Sequence, residues 1–188
     1  MSQKDFSLWT DKGLEKLAIY YQQKKTEFDS KSKMEIIFKS QAVELGEAKI
    51  TGQIDKIDTD ELKKLIKVTD FKTGKAILNW TGSLGNEKIK IWKYEQQLVF
   101  YKLLVENSRD FGNYVVDIGQ LEFLEADNQD QIVILSKTLE AQEAKDLSIL
   151  IQVVYQKIIN LDFPDVSIYS KDLDGIKQFT KDLIENKI

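Results

Sequence analysis

Residues 52–75 read GQIDKIDTDELKKLIKVTDFKTGK, and this stretch decides the fold class. Apolar and polar residues alternate along it, which predicts two strands, at residues 48–58 and 65–73. The connection between them, at residues 59–64, is short and polar. Because so short a connection joins neighbouring antiparallel strands, the two strands are expected to pair with each other.

The register of this pair can be tested against the position of its turn. A register that places Asp55 opposite Asp70 puts the centre of the connection at residues 62–63, inside the polar turn. The same register pairs Ile57 with Val68.

Two facing carboxylates need a partner. Asp55 and Asp70 would repel each other across the strand pair, and burying them unpaired would be costly. A divalent cation would offset both charges. Lys72 shares the strand face of Asp70, where it is placed to hold an attacking water or to stabilise charge on a phosphate. The alternative is that Asp70 and Lys72 form an ordinary exposed ion pair.

The composition limits which metal could bind. The 188-residue chain contains no cysteine and no histidine. An iron–sulfur cluster and a disulfide are therefore excluded, and zinc would lack its usual ligands. A hard, oxygen-liganded cation such as Mg²⁺ or Mn²⁺ is expected instead. With no long apolar stretch and no apolar signal core at the start, we expect no membrane partner and a cytoplasmic location.

The charge is unevenly distributed along the chain. The net charge is −4, yet residues 63–93 are rich in lysine. A local basic stretch can bind a phosphate backbone even in an acidic chain, and tryptophan can stack on unpaired bases. The predicted DNA-binding residues are Lys75, Lys88, Lys90, Lys93 and Trp80. The alternative is a solvated, lysine-rich loop whose tryptophans cover the core.

The rest of the pattern predicts an α/β sandwich around a mixed sheet. Apolar residues at helical spacing indicate helices at residues 8–28, 89–106, 139–160 and 172–186. Three more strands are predicted, at residues 35–45, 114–124 and 131–135, with a glycine-containing loop at 74–87. We expect one domain over residues 1–188, made of a helical lead-in (1–33), a core (34–161) and a C-terminal tail and helix (162–188).

Three motifs resemble a known nuclease family. Residues 52–58, GQIDKID, resemble the G-x-I-D-R-I-D strand of RecB-like nucleases in the PD-(D/E)xK superfamily. Residues 68–75, VTDFKTGK, resemble the D-Y-K-T-G-K segment that follows it, and residues 97–101, QLVFY, are similar to the Q-L-x-x-Y helix. Three matches in the right order are far more specific than any one of them.

The resemblance implies a restriction-endonuclease-like α/β core with a mixed central sheet and flanking helices. It also implies that Asp55, Asp70 and the backbone carbonyl of Phe71 bind Mg²⁺ or Mn²⁺. Lys72 would be the catalytic lysine, and Gln97 and Tyr101 would complete the catalytic site from the following helix.

The implied function is a Mg²⁺-dependent DNA nuclease domain. The resemblance places it in DNA repair or recombination, with helicase domains in the same or a partner chain, as at the C-terminus of UvrD/AddB-like helicase–nucleases. The alternative is a non-catalytic DNA-binding or docking module of a helicase. The family often has an upstream histidine or glutamate ligand, and none of Glu15, Glu27 and Glu35 can be assigned to that role.

Overall fold

The computed structural model describes residues 2–82 and 85–188, without the side chain of Lys4. Four α-helices occupy Gln3–Lys24 (α1), Gly85–Glu106 (α2), Ala141–Ile159 (α3) and Leu173–Ile184 (α4). The strands are Lys33–Ile37 (β1), Glu44–Leu45 (β2), Ala48–Lys49 (β3), Gln53–Asp60 (β4), Leu65–Lys72 (β5), Val115–Phe123 (β6) and Ile134–Thr138 (β7). No helix in these ranges is long and apolar enough to cross a bilayer.

Five strands form a mixed sheet in the order β1-β4-β5-β6-β7. β5 and β6 run parallel, with α2 as the connection between them, and the other neighbours are antiparallel. The predicted pairing of Ile57 with Val68 is confirmed. The ladder ends with Lys56 opposite Thr69, so Asp55 and Asp70 are the next residues beyond its last pair.

The predicted strand at residues 35–45 is wrong as a single element. β1 ends at Ile37, and the chain turns before the short hairpin of β2 and β3. Ala42 in this turn has a φ of 54°, which lies in the left-handed region and far from the extended values of a regular strand. The buried Gln41 side chain fixes the turn by donating to Asp110. Such a long-range contact leaves no trace in local periodicity.

Two helices begin at least four residues earlier than predicted. α1 begins at Gln3 because the Ser2 hydroxyl caps it, accepting a hydrogen bond of 3.1 Å from the backbone N–H of Asp5. α2 begins at Gly85, so residues 85–87 of the predicted loop lie in its first turn, together with Lys88. Residues 83 and 84 of the predicted loop lie outside the described residues.

Helices lie on both faces of the sheet, but α1, most of whose residues are exposed, packs only loosely on its face. α2 packs closely on β6, because a Cβ built at Gly119 would lie 3.0 Å from the Cβ of Leu98. α3 packs against α2, and α4 against α3. α1 approaches the other face, where the ring of Tyr20 contacts that of Phe71. The close approach at Gly119 positions α2 over the end of β5, where the candidate site lies.

Candidate active site

Asp70 lies at the centre of a hydrogen-bonded cluster. It is on β5 and only 3% exposed. Its Oδ1 accepts two hydrogen bonds of 2.7 Å, one from the hydroxyl of Tyr101 and one from Nε2 of Gln97. Gln97 and Tyr101 are one turn apart on α2, so both side chains leave the same face of the helix. Strand and helix are thereby joined at one carboxylate.

Lys72 completes the cluster from the same face of β5. Its Nζ lies 2.6 Å from Oδ2 of Asp70 and donates to Oε1 of Gln97 at 2.8 Å. Gln97 therefore bridges the two side chains, because its amide N–H donates to Asp70 and its amide oxygen accepts from Lys72. Oδ2 of Asp70 is buried and accepts no hydrogen bond from the residues described. Its negative charge is offset by the ion pair with Lys72.

Asp55 reaches the site from the neighbouring strand. Its Oδ2 accepts a hydrogen bond of 2.8 Å from the backbone N–H of Phe71. This bond places the Asp55 carboxylate beside the peptide that links Asp70 to Phe71. Two carboxylates from adjacent strands thus lie close to one main-chain segment, as the strand register predicted.

The pKa of the Tyr101 hydroxyl is raised by its burial and by the carboxylates beside it. Burial raises the pKa of its hydroxyl, and the hydrogen bond to Asp70 and the charges of Asp70 and Asp55 raise this pKa further. The phenol therefore stays protonated at ordinary pH and remains a donor to Asp70. A neutral donor stabilises the ionised carboxylate without adding charge.

The donor set fits a hard divalent cation that keeps bound water. Carboxylates of Asp55 and Asp70 and the carbonyl of Phe71 are oxygen ligands, and Mg²⁺ is commonly held by one or two carboxylates. Oδ2 of Asp70 is buried and paired with the Lys72 ammonium but accepts no directed hydrogen bond from the described residues, so a bound cation would share this oxygen with Lys72. Across residues 2–82 and 85–188, no three acidic, histidine or cysteine side chains gather into a metal-binding group. An all-protein cage of ligands is therefore absent from the described part of the chain.

The three upstream glutamates do not join the two aspartates. Glu27 pairs with Lys24 near the other face of the sheet. Glu35 occupies the position across from Asp55, because β1 pairs Ile36 with Ile54, yet its side chain is exposed. Glu15 is exposed on α1.

The predicted DNA-binding lysines are all exposed. Lys75 follows β5, while Lys88, Lys90 and Lys93 lie on the first turns of α2. Lys90 borders the cluster, since its Nζ is 5.6 Å from the centre of the Tyr94 ring, against which Lys72 also lies.

Trp80 is only partly buried. It packs against the hydrophobic core, and its indole N–H donates to the carbonyl of Ser136 at 3.1 Å. This contact agrees with the alternative that the tryptophan covers the core. Its stacking on DNA bases stays a prediction.

Tyr94 is the site residue that the sequence analysis did not assign. Its ring centre lies 4.3 Å from Nζ of Lys72. The available signal was its position on α2, three residues before Gln97 and on the same helix face. An aromatic residue on an apolar helix face more often indicates core packing, so the spacing alone did not identify it.

Comparison with known proteins identifies the family. The profile of the PD-(D/E)XK nuclease superfamily matches residues 2–172. No curated protein gives a significant match. A crystal structure of a "Putative exonuclease" from Eubacterium rectale superimposes with a TM-score of 0.48 and 15% identity, over 79% of this chain and 52% of that one. This chain thus spans about half the length of that protein, and the likeness is too low to bear on function. Because the profile covers most of the sequence, the chain belongs to the PD-(D/E)XK nuclease superfamily.

Proposed function

We propose that this chain is a metal-dependent DNA nuclease domain that hydrolyses phosphodiester bonds with water. The observation that carries the proposal is the cluster in which Gln97 bridges Asp70 and Lys72, with Asp55 beside the same main-chain segment. Two carboxylates and a lysine are the groups needed to hold a cation and to assist the attack of water on a phosphate. Superfamily membership supports the same chemistry.

Each residue has a distinct proposed role. Asp55, Asp70 and the carbonyl of Phe71 would hold Mg²⁺ or Mn²⁺, which when bound supplies Lewis acidity and a more acidic water. Lys72 orients the attacking water and offsets negative charge that develops on the phosphate. Gln97 and Tyr101 fix the Asp70 carboxylate through the bonds described above.

The wider context is proposed from the motif resemblance alone. The three motifs resemble RecB-like domains of helicase–nucleases, which favours a role in DNA repair or recombination beside helicase domains. Positive charge for binding a DNA backbone would come from exposed lysines after β5 and on the first turns of α2, namely Lys75, Lys88, Lys90 and Lys93.

One observation favours a second candidate, a non-catalytic DNA-binding or docking module. The described residues bring no third acidic side chain to Asp55 and Asp70. A module of this kind would bind DNA yet cut none in the presence of any divalent cation. The two candidates therefore differ in cleavage and not in DNA affinity.

Metal binding is the first test. Because Asp55 and Asp70 carry like charges at one site, saturating Mg²⁺ or Mn²⁺ is expected to raise the free energy of unfolding by about 1–3 kcal/mol. Thermal unfolding with and without each metal, in the absence of DNA, measures this response. The double variant Asp55→Asn, Asp70→Asn should lose it.

A matched control is the double variant Asp58→Asn, Asp60→Asn. It removes two carboxylates from β4, the strand of Asp55, at positions away from the site. It should retain the metal response of the wild type. An equal response in the wild type and the Asp55, Asp70 variant would contradict the proposed metal site.

DNA contact by the α2 lysines is the second test. Lys88→Ala, Lys90→Ala is expected to make the slope of log affinity against log salt shallower by about one unit for each lost phosphate contact. Fluorescence anisotropy with a labelled oligonucleotide across a salt series measures the slope. Lys31→Ala, Lys63→Ala, which removes two exposed lysines elsewhere, should leave it unchanged. Equal slopes in the wild type and the α2 variant would exclude these contacts.

A further inference from the structure

Tyr94 holds the lysine of the candidate site against its ring. We propose that Tyr94 is a positioning residue that fixes the Lys72 ammonium for the reaction. The inference rests on the proposed function for its consequence in catalysis, but its structural part can be tested without any cleavage.

The Lys72 ammonium has three neighbours from two elements. Oδ2 of Asp70 is 2.6 Å away, Oε1 of Gln97 is 2.8 Å away, and the centre of the Tyr94 ring is 4.3 Å away. An ammonium within about 6 Å of a ring centre is attracted by the negative face of the ring. The Lys72 side chain is 16% exposed, so the attraction acts with limited screening by water. The ring therefore contributes to where the ammonium rests.

Unlike Asp70 and Gln97, the Tyr94 ring attracts the Lys72 ammonium without occupying its N–H groups. A cation bound by Asp70 would compete with Lys72 for that carboxylate, and Gln97 also bonds to Asp70. Tyr94 attracts the ammonium through the face of a neutral ring and takes up none of its N–H groups in a directed hydrogen bond. Lys72 would thus keep both its position and its N–H groups for water or phosphate. Lysine is long and flexible, so this restraint matters more than it would for a short side chain.

Lys90 is a second lysine near the same ring, but it is less closely held. Its Nζ is 5.6 Å from the ring centre, and the residue is exposed. Removing Lys90 therefore provides a control that alters the charge near Tyr94 without altering the site cluster.

The direct test is NMR of protein labelled at lysine with ¹³C, in the absence of metal and DNA. The Lys72 side-chain signals, assigned by their loss in Lys72→Arg, should lie upfield of their random-coil positions because of the ring current. Tyr94→Leu, which keeps apolar bulk, should move them to random-coil positions, whereas Tyr94→Phe and Lys90→Ala should leave them upfield. Lys64, whose Nζ is 4.8 Å from the ring centre of Tyr114, is an internal reference that only Tyr114→Leu should shift. Lys72 signals that keep their wild-type positions in folded Tyr94→Leu would overturn the inference.

The kinetic test separates positioning from binding. Tyr94→Leu should lower kcat for DNA cleavage by about tenfold with little change in KM, and Tyr94→Phe should restore most of it. An unchanged kcat in Tyr94→Leu would overturn the catalytic part of the inference. If the wild type cleaves no DNA, the proposed function fails, and the NMR result alone decides whether Tyr94 positions Lys72.

Discussion

Lys72→Ala is expected to lower the rate of DNA cleavage by about 10²–10³-fold while DNA affinity changes little. The ammonium lies between Asp70 and Gln97. In the proposed mechanism it acts there on the attacking water and on charge that forms in the transition state. The exposed lysines on α2 and after β5 would still bind the backbone. Single-turnover cleavage and anisotropy on the same oligonucleotide measure the two quantities separately.

Lys67→Ala is the matched control. Lys67 is on the same strand as Lys72 but on the opposite face, where its Nζ lies 3.1 Å from Asp58. This variant should cut DNA at nearly the wild-type rate. If Lys72→Ala cleaved DNA at the wild-type rate, or if both variants lost cleavage rate equally, Lys72 would have no special part in the reaction.

Leu98→Ala is expected to lower the free energy of unfolding by about 2–5 kcal/mol. Leu98 is fully buried where α2 meets β6, and Gly119 leaves just enough room for it. Truncation creates a cavity at the contact that positions α2. Because Gln97 is the preceding residue, we also expect weaker bonds between Gln97 and Asp70. Denaturant unfolding measures the loss of stability.

Leu62→Ala serves as its control, because Leu62 is 97% exposed in the turn between β4 and β5. Its free energy of unfolding should stay within about 0.5 kcal/mol of the wild type. A similar loss in both variants would mean that the contact between α2 and β6 does not determine stability.

The sequence predicted the centre of the fold best. Strong alternation in β4 and β5, together with a short polar turn, was enough to pair Ile57 with Val68. Once this register is set, Asp55 and Asp70 must lie near each other at the strand ends. The motif at residues 97–101 then indicated that Gln97 and Tyr101 lie close to Asp70, which the structure shows.

Predictions failed where distant contacts determine local structure. The turn after β1 depends on the bond between Gln41 and Asp110, residues far apart in the chain. The side-chain bridge through Gln97 and the ring contact of Tyr94 depend on how close α2 lies to β5. Neither that distance nor a side-chain rotamer can be obtained from residue spacing.

The most direct test of the proposed function is DNA cleavage by the wild type across a titration of Mg²⁺ and of Mn²⁺, on single- and double-stranded oligonucleotides. Asp70→Asn, assayed in parallel, removes one of the two facing charges while keeping the shape of the side chain. We predict that the wild type cuts DNA only with metal, that EDTA stops the reaction, and that Asp70→Asn does not cut at any metal concentration. Cleavage by Asp70→Asn at the wild-type rate, or DNA binding by the wild type without cleavage at any metal concentration, would contradict a nuclease site at Asp55, Asp70 and Lys72.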